Sequence, residues 1–478
     1  MVINSTPTDP LGPTGKLATW LAGLTLKDIP AEIIERAKFI TLDGLGCALI
    51  GAKMPWSALA ADIVQRFEGA GNYGVTGQKQ RTSAPAAALL NGTFIQGFEL
   101  DDYHPWGPLH SASVVLPAAF AAAQRQGGVN GQTLLTAIIA GYEVGPRVGM
   151  ALHGRQMLSR GWHSGAVFGT HAAAAAAGKI IELNAAQMED ALGLAGTQSA
   201  GLMAAQFEAM SKRMHHGFSA RNGLYAAILA EGGYTGIKRV FERDYGGFLS
   251  TFGAGFDPDI SQIDSGLGVD WETGRIAIKP YAAMGALHAP IDAVFALSKQ
   301  YELVPDQIDK ITIDMSHSAF HHGGWQAQRP ITVIGAQMNV AYAVAVAILD
   351  KAVLVDQFAA SRLDDEDVWN LIGKIEARHN PEFDSLPGNR RQTAHMAITF
   401  TDGRLVQITI PASRAVANPL TNQEITEKFL YLTQRVISSE RQQKIINVVR
   451  GLEESANVNE LFDVIFSDVD AAFKIEAV

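Results

Sequence analysis

The chain has 478 residues, 47% of them apolar and 18% charged, a globular composition too long for one small core. A net charge of −10 with no basic run argues against a nucleic-acid partner. One cysteine, Cys47, rules out an intrachain disulfide and an iron–sulfur cluster held by this chain alone, and it fits a reducing, cytoplasmic setting.

The opening MVINSTPTDPLGPTGKLATW has neither the basic-then-apolar pattern of a secretory signal nor the Arg-rich look of a transit peptide. The stretch IPAEIIERAKFITLDGLGCALIG predicts a helix, with Pro30 at its start and Ile33, Ala37 and Ile40 at helical spacing. Uncharged stretches at 114–124 and 161–178 are rich in Ala and Gly and broken by Pro or His, so they read as buried helices and not as membrane spans. GVNGQTLLTAIIAGYEVGPRV predicts a helix that ends at Gly145-Pro146. THAAAAAAGKIIELNAAQMEDALGLAG predicts two helices, the second capped by Asn184, with small faces suited to close packing.

The pattern changes after about Gly266. QIDKITIDMS predicts a strand through Ile308, Ile311, Ile313 and Met315. RQTAHMAITFTDGRLVQITIP predicts a hairpin, with Ala394, Met396, Ile398 and Phe400 on one face and Val406, Ile408 and Ile410 on another; Asp402-Gly403 makes the turn. HAPIDAVFALSKQ, QMNVAYAVAVAILDK and DEDVWNLIGKIEAR read as helices. The tail is helical again, with Thr421 and Glu424 in capping-box spacing. The expected fold class is mainly α with an inserted α+β domain. Residues 1–270 and 411–478 form the helical domain, and 271–410 form the insertion.

Chemistry concentrates in ELDDYHPWGPLHSAS, which carries Glu99, Asp101, Asp102, His104 and His110 between nearly uncharged flanks. Three uses are open: metal ligation, helix capping by the carboxylates, and acid–base work by a histidine held by a carboxylate. The spacing matches no zinc pattern. SRGWHSGAVFG adds His163 followed by small residues, which let backbone come close to a ligand. MSKRMHHGFSARNG adds Lys212, Arg213, His215, His216 and Arg221 among small apolar neighbours, so at least one cation is expected to face inward. KPYAAMGALHAP adds Lys279 and His288, and NVAYAVA adds Tyr342. No nucleophile elbow, phosphate loop or dinucleotide fingerprint is found.

Together, NGTFIQGFELDDYHPWGPLHSASVVLP, GWHSGAVFG, SKRMHHGFSARNG and DYGGFLSTFG resemble the MmgE/PrpD family, whose members include 2-methylcitrate dehydratases, cis-aconitate decarboxylases and an iminodisuccinate epimerase. The likeness covers most of the chain, is strongest from Asn91 to Gly253, and points to the branch of the fungal decarboxylases. It implies a large helical domain completed by the tail, a smaller inserted lid, a homodimer, and a site between the domains. It assigns catalytic roles to His110, His163, Lys212 and Tyr342, with Glu99 or Asp101 as the loop carboxylate. Lys279, His288, Arg213 and His216 become candidate substrate contacts. Met284 stands where the animal decarboxylases carry a lid histidine. The implied activity is a lyase with neither metal nor organic cofactor, acting on a small polycarboxylate and converting cis-aconitate to itaconate and CO2. Dehydration of 2-methylcitrate, epimerisation, a metal-dependent hydrolase and a silent ligand-binding homologue are the alternatives.

Overall fold

Small residues decide how closely the helices of the first half pack. The computed structural model describes residues 5–386, 390 and 392–471. Helices Ala84–Ile95, Ser111–Arg125, Gly131–Ala151, Gly169–Ile180 and Ser211–Glu231 pack around one another. Gly169–Ile180 lies in the middle, with Ala172 to Ala177 fully buried. A β-carbon on Gly223 would lie 2.4 Å from that of Ala173, and one on Gly217 would lie 2.1 Å from the Leu89 carbonyl oxygen. The helices therefore meet backbone to backbone at these points.

Several local signals act as the sequence suggests. Pro30 precedes the Ala31–Gly51 helix. Asn184 accepts the Gln187 N–H at 3.0 Å and caps Ala185–Gly196. Thr421 and Glu424 form a capping box on Asn422–Thr433. This tail helix and Ser439–Arg450 both pack on Ala31–Gly51, so elements far apart in sequence share one helical assembly.

The Gly131–Ala151 helix departs from expectation, because it runs through Pro146 instead of ending there. A proline inside a helix costs about 3 kcal/mol, mainly through a lost backbone bond and a clash. Here the next turn is pinned by Arg147, whose buried guanidinium donates to the carbonyls of Ser265 and Asp270. Burial of nearly every residue from Leu134 to Val148 supplies the remaining stabilisation.

The four strands are β1 (Ile308–Met315), β2 (Ile375–His379), β3 (Ala394–Phe400) and β4 (Leu405–Ile410). Their order is β2-β1-β3-β4, with β1 and β2 parallel and the other pairs antiparallel. Ala394, Met396, Ile398 and Phe400 are buried, as the alternation predicts, and Gly403 turns the hairpin at φ +85°. Helix His288–Ser298 packs on β3 and β4 and against Val340–Asp350. β2 corrects the reading of DEDVWNLIGKIEAR as one helix, because the helix stops at Ile372 and Gly373 breaks it. The Lys374 ammonium then donates to the carbonyls of Pro305 and Ile308, drawing the chain onto the edge of β1.

Among the described residues no single helix is long and apolar enough to cross a membrane; only the pair Ala31–Gly51 and Pro55–Glu68, bent by 84°, reaches the necessary length and composition together.

Gly223→Ala is expected to lose about 1–3 kcal/mol, the usual cost of overpacking a tight contact. Gly23→Ala, with nothing within 4 Å of the new methyl, is the matched control and should be nearly neutral. Urea midpoints of the two variants check this.

Candidate active site

The Ala84–Ile95 helix tightens into a 3-10 turn at Gln96–Phe98, and Glu99 follows in the left-handed region at φ +56°. That conformation swings Glu99 inward, where it is 1% exposed. Its carboxylate is bonded by the Lys212 ammonium from the Ser211–Glu231 helix, by Lys279 Nζ at 3.0 Å and by Gln96 Nε2 at 2.7 Å. The Arg213 guanidinium stands 3.9 Å away. Burial alone would raise the Glu99 carboxyl, but Lys212, Lys279, His110 and Arg213 together hold it well below the usual range. Arg213 is braced by the Trp56 ring at 4.9 Å and by Gln337 Oε1 at 2.6 Å.

Beyond Glu99 the loop is tied on both sides. Tyr103 and Ala277 exchange backbone hydrogen bonds of 2.8 and 2.9 Å, which joins the loop to the segment carrying Lys279. Lys428, on the tail helix, donates to the Leu100 carbonyl at 2.6 Å and lies 2.6 Å from Asp43 Oδ1. The two loop aspartates then divide the work. Asp102 accepts the N–H groups of Ser111 and Ala112 at 2.8 and 2.9 Å, capping the Ser111–Arg125 helix. Burial and the neighbouring Asp101 push Asp102 up to about 8, against the pull of those N–H groups. Asp101 lies 3.2 Å from His110 Nδ1. His104 is structural: its Nδ1 accepts the Gly107 N–H at 2.9 Å and its Nε2 faces Glu272 at 3.0 Å. Among the described residues no three His, Cys, Asp or Glu side chains converge as metal ligands.

Four imidazoles pack beside this loop. Ring centroids are 4.9 Å apart for His110 and His216, 5.2 Å for His163 and His216, and 4.6 Å for His163 and His215. Burial first, then coupling to His215 and the positive Lys212, keeps His163 well below its ordinary value, so it rests neutral. His216 Nδ1 is 3.0 Å from Ser113 Oγ. Gly165 is required here, because a β-carbon on it would lie 2.0 Å from the His216 ring.

One cavity of about 130 Å³ gathers Glu99, His110, His163, Lys212, Lys279 and His322 on its walls. Asp101 sits behind His110, and Arg213 and His216 sit behind the lining residues. Tyr342 and His288 do not line it. The Tyr342 hydroxyl donates to the Gln357 carbonyl at 2.6 Å, inside the buried Val340–Asp350 helix. His288 is fully buried, with Nε2 3.1 Å from the Ala283 carbonyl oxygen. Met284 does line the cavity. His322 is a lining group that the sequence analysis passed over; its signal was HSAFHHGG, three of the chain's 13 histidines in one short stretch.

Comparison with known proteins covers most of the chain. Residues 15–261 match the MmgE/PrpD N-terminal domain and residues 281–454 match the MmgE/PrpD C-terminal domain. A cis-aconitate decarboxylase-like protein, oryM, of Aspergillus oryzae is 44% identical over 484 residues, covering 98% of this chain and 100% of that one. A cis-aconitate decarboxylase of Aspergillus terreus is 40% identical over 470 residues, covering 95% and 96%. The human cis-aconitate decarboxylase is 26% identical over 457 residues, covering 92% of each.

Two outcomes are expected from this geometry. Glu99→Gln leaves Lys212, Lys279 and Arg213 without their shared counter-charge and should cost about 3–5 kcal/mol in urea unfolding, as for other broken buried pairs. Lys212→Met leaves Glu99 with two cations and should cost clearly less. The second outcome concerns acid. Burial lowers His171 and His288 to about 3, and His215 and His322 to about 4, from an ordinary 6.5. The unfolded chain binds these protons first, so stability is complete above about pH 6.5 and is lost as pH falls toward 4. Each histidine contributes a slope of up to about 1.4 kcal/mol per pH unit, which unfolding midpoints across that window should show.

Proposed function

The chain belongs to the MmgE/PrpD family, and from that premise we propose that it is a lyase that decarboxylates cis-aconitate to itaconate and CO2. The observation that carries the reading is Glu99 shared between Lys212 and Lys279 in a pocket walled by imidazoles. Lys212, Lys279 and Arg213 outnumber the Glu99 and Asp101 carboxylates, which favours an anion with several carboxylates. A chain with net charge −10 needs such a local reversal.

On this reading Lys212 and Lys279 seat substrate carboxylates and fix the orientation of the molecule. The bond between the methylene carbon and the departing carboxylate breaks, and its electron pair becomes the new terminal double bond. The old double-bond pair takes a proton at the neighbouring methine carbon. Atoms and charge balance with one proton consumed and one CO2 released. His110, oriented by Asp101 at Nδ1, and His163 are the proton-transfer groups of the helical wall. Residues 271–410 act as a lid over the helical part built from 1–270 and 411–478. The enzyme works without metal or organic cofactor. The enzyme is a homodimer on this reading, and the buried lone Cys47 accords with the cytoplasm.

In D2O, purified protein should convert cis-aconitate to itaconate carrying one deuterium, with recovered substrate unlabelled. His110→Ala and His163→Ala should each lower kcat by about 10²-fold or more. Activity should survive dialysis against EDTA. Absence of CO2, with deuterium washed into a recovered hydroxylated tricarboxylate, would replace decarboxylation by dehydration. Light scattering on the purified protein tests the dimer.

A further inference from the structure

A tricarboxylate brings three negative groups into the pocket, whereas the two lining ammonium groups, Lys212 and Lys279, already share Glu99. The wall facing the helical histidines offers one more group. His322, on the short His317–Gly323 helix after β1, lines the cavity and is 7% exposed. Its Nε2 is buried and has no hydrogen-bond partner among the described residues. A buried polar atom left without a partner is costly, and the cost is recovered when a ligand supplies one.

Packing fixes where this imidazole stands. Ser316 Oγ accepts the Ala319 N–H at the start of the helix. At its end, a β-carbon on Gly323 would lie 2.6 Å from Leu287 Cδ2 and 3.0 Å from Met284 Cε, so the helix is seated against the Met284 segment. Met284 itself offers no charge. His322 is thus the titratable partner on this wall beside Lys279, whose ammonium is held by Glu99.

A row of titratable side chains runs from His322 toward a second cavity. A second cavity, of about 430 Å³, is lined by His317, Asp384 and Arg160 and shares Ser316 and Ser318 with the first. His379 Nε2 lies 2.7 Å from Asp384 Oδ2, and the His379 ring is 5.4 Å from that of His317. His317 stacks on His321 at 5.9 Å, and His321 is 5.8 Å from His322.

We infer that His322 is a further substrate contact, and that it takes up a proton as the ligand binds and pairs the resulting imidazolium with a substrate carboxylate. The inference rests on the polycarboxylate reading above and adds a third cation to the two ammonium groups that line the cavity. Burial and the flanking His321 and His317 lower His322 to about 4, so it starts neutral. Lys212, Lys279, Glu99, His110 and His163 share the cavity with it. Of these, Lys212 and Lys279 also disfavour its charge and Glu99 favours it. The incoming carboxylates tip the balance. The proton gained at Nε2 equals in number the one that decarboxylation consumes.

The test uses propane-1,2,3-tricarboxylate, a saturated analogue that cannot lose CO2 by allylic shift. Calorimetric titration near neutral pH, in two buffers of different ionisation enthalpy, reads protons taken up on binding. Wild type should take up about one proton more than His322→Gln, and the variant should bind about tenfold more weakly or worse, the size of one lost charge-assisted hydrogen bond. His322→Asn is the second variant, and thermal unfolding confirms that each is folded. Equal uptake in wild type and both variants overturns the inference whatever the affinity. Turnover of cis-aconitate by wild type is scored separately. If turnover is absent while uptake still depends on His322, the decarboxylase reading falls and the contact stands.

Discussion

One buried carboxylate sets the terms for the rest of the site. Glu99 is bonded by Lys212 and by Lys279, with Arg213 at 3.9 Å. Each cation alone would be prohibitive to bury. Together with Glu99 they form a buried cluster with surplus positive charge. The cluster also locates the backbone, because Lys212 comes from the helical assembly and Lys279 from the segment that leads toward the sheet. Glu99 adopts a left-handed conformation that costs a non-glycine residue about 1–2 kcal/mol, and the ion pairs stabilise it there.

The same loop separates holding from acting. Asp102 faces backward and satisfies the first turn of a helix, while Asp101 faces forward toward His110. Adjacent residues in an extended loop point to opposite sides, so two carboxylates in a row serve both purposes without competing. Behind them Gly165 gives the His216 ring its place, and His216 in turn supports His110 and His163. Burial first, and neighbouring positive charge second, keep His163, His215 and His216 below their ordinary value, which leaves them responsive to whatever charge enters.

Signals carried by a few neighbouring residues were legible in the sequence. The caps at Asn184 and Thr421, the Asp402-Gly403 hairpin and the alternation of β3 all rest on contacts within a few positions. The grouping of Glu99, His110, His163 and Lys212 was legible through resemblance, since no local pattern joins segments that far apart. What escaped depends on tertiary packing. The helix survives Pro146 because Arg147 is anchored by a distant loop, and β2 is a five-residue strand made by its neighbour β1. Tyr342 and His288 lie on apolar helices whose orientation in sequence is ambiguous, and both turned out to face carbonyls away from the cavity. His322 was readable only as a dense histidine run, and its meaning comes from the cavity.

The link between Lys428 and the active-site loop gives synthesis a direction. Lys428 reaches Leu100 across 328 residues and neutralises Asp43 behind the loop. A nascent chain emerging from the ribosome presents Asp43, Asp101 and Asp102 to one another long before that ammonium exists. At translation speeds of about 5–20 residues per second, the delay amounts to tens of seconds. The loop thus gains this last support only when the helical assembly closes around Lys428. A transcript cut short after the sheet would yield a protein with every lining residue of the pocket but without the Lys428 support behind its loop.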